Sequence, residues 1–556
     1  MPDRLWPFAA QRPVTEVLEW STDVLVTEAA EQRIALRTAP RSTLTFPHLI
    51  DAIGLAGAAE LGRAASLDDW TLPLWHLARS ATAPIDPADP VILVDTTDGA
   101  FGGAGQAVVA ADGVAAHLVE VAAVLPDRLE LATRAGVSLV HAVVAPVGTA
   151  FFARPLEIDR GRQGLGTVRA SFTLRSLVPA AWIGRTAIYI AMDTSGSMSG
   201  SRMAAQKAAL ARLVHWISEE AFPTNDIIVV TWNASVTGSL LRRNADAAAY
   251  AEVTTWIEAL SDATSGGTDF GAAVSEAPDF FAGATDKRRI LIFVTDGEPS
   301  PASSLAAAKA TLATLPDVEV FAFNIALSDT GATAQIDTTP VDGVPVVPAG
   351  DPDVLVSSIR AAFGGALPQY QGLDVLTDPA VLRQPLAETL GQTVEAIDNG
   401  FGTIVLETLL THVQRRSTIT LIDRGPARLT RRRWLLSLRG RQRAFWLPTW
   451  GRELVLQAAI TSDATSIVVA PLADPSVWIG RHLMIDHPTG PIFREITAAT
   501  WDALGIGLSI TAPGKSIPLG TPIHLLVKVR SDADRIELKH GPNRTELALP
   551  LIETPS

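Results

Sequence analysis

The sequence predicts a multidomain protein in which duplicated mainly-β modules flank an inserted, doubly wound α/β domain. Three observations predict it. The chain has 556 residues, which is too long for one ordinary domain and suggests about three to four. Between residues 181 and 366, short apolar runs alternate with segments of helix length, the pattern of a parallel sheet covered on both faces. On either side of that stretch the same residue pattern occurs twice. The expected boundaries are 1–180 for the first β module, 181–366 for the α/β domain, 367–410 for a linker with a β segment, and 411–556 for the second β module.

Composition narrows the function classes. A chain that is 47% hydrophobic and 19% charged has the make-up of a globular protein with ample core. A net charge of -14 argues against nucleic-acid binding. The absence of cysteine excludes disulfides, thiolate zinc sites and thiol catalysis. Met1–Phe8 lacks the charged and apolar regions of a secretory signal, and no apolar run approaches the roughly 20 residues of a membrane span. The expectation is a soluble protein made in a cytoplasm, without membrane insertion. Basic residues cluster at Arg431–Arg433 and Arg439–Arg443, and a solvated or subunit-facing rim is expected there.

Up to residue 177 the chain is rich in β-like runs, including Gln32–Arg37, Val91–Val94, Gln106–Val109, Leu118–Val121 and Leu139–Val144, with one helix over Leu49–Ala65. Leu72-Pro73-Leu74-Trp75 returns as Leu447-Pro448-Thr449-Trp450, an offset of 375 from Trp75 to Trp450. At the same offset Val94 meets Val469, Gly105 meets Gly480, Val108 meets Leu483 and Glu120 meets Glu495. With small insertions Leu129–Leu131 answers to Leu508–Ile510, and His141–Val144 to His524–Val527. A constant register over that length reads as a duplication, with Trp75 and Trp450 in equivalent core or subunit contacts.

The middle stretch reads as strand Thr186–Met192, helix Met203–Glu219, strand Asp226–Trp232, edge strand Val236–Leu241 and helix Ala245–Leu260. Helix Asp269–Phe281, strand Arg289–Thr295, helix Ser303–Leu315, strand Val318–Asn324 and a final helix Pro352–Phe363 follow, with Ser328–Gly350 the least regular part. In the linker, Pro379–Ile397 is expected to be partly helical; Gly402–Glu407 and Arg416–Ile422 resume the β pattern. Asp534–Lys539 and Thr545–Leu549 alternate as sheet-edge strands would, and such edges can pair with a neighbouring subunit.

The chemistry gathers at the carboxyl ends of two apolar runs. After Ala187–Met192 come Asp193, Ser195 and Ser197, a carboxylate and two hydroxyls at alternate positions, with Gly196 free to curl the backbone between them. Gly266-Gly267-Thr268-Asp269 offers another hydroxyl, and Leu291–Thr295 runs into a second carboxylate at Asp296. Hard oxygen donors of this kind suit magnesium, which takes about six oxygens and keeps several waters; manganese or calcium fit as well. Two carboxylates facing one ion read as ligands rather than as a proton-transfer pair. No Gly-x-Ser-x-Gly elbow and no GxxxxGK[ST] loop occurs, and His76, His117, His141, His215, His482 and His524 show no ligand spacing, so each is expected to be solvated or hydrogen-bonded and no enzyme is expected. Trp75, Trp446, Trp450 and Trp478 could also form a sugar-binding platform, which for Trp75 and Trp450 is a weaker reading than a shared core or subunit contact.

Asp193-x-Ser195-x-Ser197, Thr268 and Asp296 resemble the metal-ion-dependent adhesion site of von Willebrand factor A domains, with all five positions filled. The resemblance implies a doubly wound sheet that grips a partner's oxygen through the metal, with Gly267, Asp269 and Glu298 as partner-binding neighbours. The flanks resemble a tailed-bacteriophage tail-tip structural protein, a distal or minor tail protein. That likeness rests on Glu31–Arg41, Leu72–Trp75, Tyr370–Leu376 and Phe445–Trp450. It implies a virion tail or baseplate component assembled in the host cytoplasm, ring-forming with copies of itself and with other tail proteins. The inserted domain would then project its metal face for host attachment, to a host-surface protein or glycan, or for contact with a neighbouring tail protein. A purely structural metal is the second reading. The third is a cellular von Willebrand-type adaptor serving a chelatase or ATPase.

Overall fold

The computed structural model describes residues 4–554 apart from short segments, the longest being 177–185, 339–345, 348–355, 357–366, 379–386 and 398–404. It is mostly β, with helices concentrated in the middle of the chain. There, six strands form one sheet: β1 (Thr186–Asp193), β2 (Asp226–Trp232), β3 (Val236–Arg242), β4 (Arg288–Thr295), β5 (Val318–Ile325) and β6 (Val346–Val347). Their spatial order is β3-β2-β1-β4-β5-β6, all parallel except the edge strand β3.

Every residue of β1 is buried, because helices cover both faces of the sheet. Ile188, Ile190 and Met192 pack with apolar residues of α1 (Ser201–Glu220) and α2 (Ala247–Ala259). Ala187, Tyr189 and Ala191 pack on the other face with Phe270, Phe280, Phe281 and Ala308. These come from α3 (Phe270–Ala273), α4 (Ala277–Ala282) and α5 (Ser303–Ala313). From β1 the chain moves outward to β2 and β3 on one side, then crosses to β4 on the other. The strand order therefore reverses between β1 and β4, and open α/β sheets place ligands at the carboxyl ends of the strands at such a point.

Two expectations in this region change. The helix expected over Asp269–Phe281 is split into α3 and α4. Pro278 lacks the N–H that an unbroken helix would use there, and it sits in the first turn of α4 instead. The final helix expected over Pro352–Phe363 lies outside the described residues except for buried Val356, as does part of Ser328–Gly350.

Strands from both ends of the chain share one large sheet system. Val14–Glu19 pairs with Arg535–His540, and Gln414–Arg424 with Arg544–Glu553. Pairings also recur between the ends at the positions the repeat matches. Ile92 opposite Leu129 corresponds to Ile467 opposite Leu508, and the bond from Thr82 N to Leu93 O (2.9 Å) to that from Gln457 N to Val468 O (2.9 Å).

Three expectations for the flanks are overturned. Arg535–His540 and Arg544–Glu553 are not edges: the first lies between Val14–Glu19 and the second, which is itself paired on both sides. The described part of the linker that was expected to be helical forms strands, Glu388–Gly391 and Val394–Ile397, the former paired with Gln414–Arg424. The basic run is not a solvated rim, for Arg431 and Arg432 are buried on the helix Ala427–Leu438. Arg431 pairs with Asp423 and Asp378, and Arg432 with Glu16. A guanidinium can be buried when a carboxylate meets it with several hydrogen bonds, and Arg432 makes three to Glu16 at 2.7–3.1 Å.

Candidate metal centre

Loop one follows β1 directly. Thr194 ties it to the end of β2, its N–H and hydroxyl donating to the Trp232 carbonyl at 2.7 and 2.9 Å. Gly196–Met198 makes one 3-10 turn, with Met198 buried beneath it and Met198 N donating to Ser195 O at 3.0 Å. Gly196 keeps a negative φ, so the freedom expected of it is not used. Gly200 takes the left-handed conformation instead, with φ +72°, and turns the chain into α1.

The side chains of this loop meet the end of β4. Ser195 Oγ lies 3.0 Å from Ser197 Oγ, and Ser197 Oγ donates to Asp296 Oδ1 at 2.8 Å. Asp193 accepts from Ser195 N at 2.7 Å through Oδ1 and from the Thr295 hydroxyl at 2.6 Å through Oδ2. Thr268 is buried beside Gly297, where an added Cβ would stand 3.0 Å from its Oγ1. Its carbonyl accepts from Ser300 N at 2.8 Å, which ties the second loop to the third. Asp193, Ser195, Thr268 and Asp296 are buried, while Ser197 faces solvent.

The electrostatics favour a cation. Burial pushes Asp193 up to about 6; hydrogen bonds from Thr295 and Ser195 oppose that shift, and the charge of Asp296 adds to it. Two buried carboxylates beside three hydroxyls form an all-oxygen donor set that fits a hard divalent ion. Asp193, Ser195, Ser197, Thr268 and Asp296 would hold it, and a bound ion would supply a positive centre for a partner's oxygen.

The neighbours expected to touch a partner, Gly267, Asp269 and Glu298, lie within two residues of Thr268 or Asp296 in the chain. Asp269 is engaged as the cap of α3, accepting from Gly271 N at 2.8 Å and Ala272 N at 3.1 Å. At Gly267 a Cβ would come within 3.2 Å of the Ser300 carbonyl, so a larger residue would crowd the third loop. Glu298 is exposed just past Asp296.

Three residues here escaped the sequence reading. Thr295 holds Asp193; it is the last residue of β4, directly before Asp296. Gln206 is buried on α1 and, in the amide orientation its neighbours require, donates to the Asp193 carbonyl at 3.0 Å and accepts from Asp193 N at 3.3 Å. Arg202 donates to Asp296 Oδ2 at 2.5 Å and to the Ser197 carbonyl at 3.3 Å.

His76 is not solvated: it is buried, has no hydrogen-bond partner at either ring nitrogen among the described residues, and stacks on His540 at 4.7 Å. Glu16, His76 and His540 bring ligand atoms within 4.8 Å of one another. Arg432 already covers both Glu16 oxygens, so this cluster is read as a buried polar joint. Trp75, Trp446 and Trp478 are buried and Trp450 is half-buried, which leaves no exposed sugar platform among these four.

Residues 188–298 match the von Willebrand factor type A domain family, so the chain carries such a domain. No curated protein matches the chain. Among solved structures, proximal thread matrix protein 1 from the mussel byssus, with a zinc-occupied MIDAS motif, is 14% identical over 33% of this chain and 46% of its own, with a TM-score of 0.28. This chain thus spans less than half of that protein. The manganese-loaded TRAP protein of Plasmodium vivax is 18% identical over 32% and 73%, TM-score 0.26. A von Willebrand factor type A protein from Catenulispora acidiphila is 14% identical over 66% of each chain, TM-score 0.27.

Proposed function

We propose that the von Willebrand factor type A domain of this chain is a divalent-cation-dependent binding domain for a partner's oxygen ligand, carried on a β scaffold built from both ends of the chain. The observation that carries this is the meeting of Ser195, Ser197 and Asp296 beside buried Asp193 and Thr268, with Ser197 left open to solvent. Magnesium is the ion we assign, and Glu298 and the Gly267-Thr268-Asp269 loop form the rim a partner would touch.

The finer reading is a virion tail-tip component. Its support is the repeated β pairing at the two ends and the short motifs around Glu31–Arg41 and Phe445–Trp450. Multiple copies in a ring would turn a modest single contact into firm attachment through effective concentration. The test is the double variant Asp193→Ala, Asp296→Ala in assembled particles. Particles should form normally, and adsorption to host cells should fall at least tenfold. Unchanged adsorption overturns the adhesive role; loss of particle integrity on chelation points to a structural ion; a native complex with a cellular ATPase rather than a ring overturns the tail reading.

A further inference from the structure

Arg202 is the second residue of α1 and reaches back over the loop that precedes the helix. Its side chain as a whole is 37% exposed, yet its Nη1 lies 2.5 Å from Asp296 Oδ2, on a carboxylate that is fully buried. The same nitrogen also donates to the Ser197 carbonyl at 3.3 Å, so the group is held over two of the five positions assigned to the cation. One of the two carboxylates in the pocket therefore already carries a protein cation.

A divalent ion and a guanidinium cannot share a small buried carboxylate without cost. At about 4 Å, with the effective dielectric near a protein surface, the ion and the guanidinium repel, and solvent exposure of the arginine weakens that repulsion without removing it. The long side chain offers an escape, because over a third of it is already exposed and it can carry its charged head out into solvent. We propose that Arg202 is a tethered competitor for the cation: it occupies Asp296 when the ion is away and moves to the rim when the ion binds, which sets the affinity of the site below that of its oxygens alone. The displaced guanidinium then stands at the rim near the open face, where a partner's acidic group would meet both charges. Coupling of this kind is reciprocal, so an acidic partner that holds Arg202 away from Asp296 also tightens the cation. This inference rests on the cation-site reading above.

The test compares wild type with Arg202→Gln and Arg202→Lys in the full chain, titrating Mn2+ by calorimetry with free-ion detection by electron paramagnetic resonance. Arg202→Gln should bind Mn2+ about tenfold more tightly, equivalent to about 1.4 kcal/mol. Arg202→Lys, which keeps the charge but loses the planar fork, should fall between the two. Thermal unfolding gives an independent readout. With chelator present, Arg202→Gln should melt below wild type because Asp296 has lost its counter-charge, and saturating Mn2+ should narrow that gap.

If wild type binds Mn2+ and Arg202→Gln binds it equally or more weakly, the competitor role is overturned and the site stands. If neither protein binds Mn2+, the cation site itself is wrong and the competitor falls with it. If the melting gap is the same with and without Mn2+, Arg202 is merely a structural contact and the proposal is again overturned.

Discussion

Replacing Arg432 by methionine tests how the two ends of the chain are held together. Glu16 sits in the strand Val14–Glu19 and is completely buried. Its Oε1 accepts from Ser42 Oγ at 3.0 Å and from Arg432 at 2.7 and 3.1 Å, and its Oε2 from Arg432 at 2.9 Å and His540 at 3.3 Å. Burial alone would raise the Glu16 carboxyl, but Arg432 and His540 hold it well below its usual range. Arg432→Met removes three charge-assisted bonds and strands a carboxylate in the core. Breaking one side of such a buried pair costs about 3 to 5 kcal/mol.

The assay is guanidinium unfolding followed by tryptophan fluorescence. With a slope of about 5 kcal/mol per molar for a body of this size, the midpoint of the β transition should fall by about 0.6 to 1 M. Because a chain with several domains need not unfold in one step, the transition of the α/β domain serves as an internal reference and should not move. The double variant Glu16→Leu, Arg432→Met should recover much of the loss, since replacing both ions by apolar groups removes the stranded charge. A single variant within about 1 kcal/mol of wild type, or a double variant no better than the single, would refute the reasoning.

Two more predictions follow from single side chains. His48 is buried, donates through Nδ1 to the Ala9 carbonyl at 2.9 Å and accepts from Trp6 Nε1 at 3.2 Å, so it must stay neutral; burial pushes it down to about 4. Since its folded value lies below the ordinary 6.5, it contributes stability that is present above pH 6.5 and lost as pH falls towards 4, about 3 kcal/mol in all. Unfolding midpoints against pH should show that slope in wild type and lack it in His48→Phe; parallel profiles would contradict it. Thr295→Val removes the 2.6 Å hydrogen bond to Asp193 Oδ2. It should weaken Mg2+ binding several-fold and cost about 1 to 3 kcal/mol of unfolding free energy in chelator, as for a lost bond to a buried charge. Unchanged affinity in calorimetry would show that Thr295 does not position the carboxylate.

What could be read in the chain follows physical locality. Strands buried on both faces, such as Ala187–Met192 and Leu291–Val294, appear as uninterrupted apolar runs, and a site placed just beyond them is visible as Asp193 and Asp296. The recurring residue register shows directly in the sequence, and two of its matched positions pair alike, Ile92 with Leu129 and Ile467 with Leu508. Long-range ion pairs leave no such trace. Nothing near Arg432 announces Glu16, 416 residues away, so a basic run looked solvated when two of its members are buried. The same holds for His76 against His540, and for Arg202, whose partner Asp296 is 94 residues distant. The carboxyl-terminal strands looked like edges because one face of each is polar, and alternation reports which face is wet, not which sides are paired.

The most direct measurement is Mg2+ binding to the full chain by equilibrium titration, for wild type, Asp193→Ala and Ser197→Ala. The account predicts one ion per chain in wild type, no binding after Asp193→Ala, and weakened binding after Ser197→Ala. Binding that survives Asp193→Ala unchanged, or a wild type that binds no divalent ion at millimolar concentration, would contradict it.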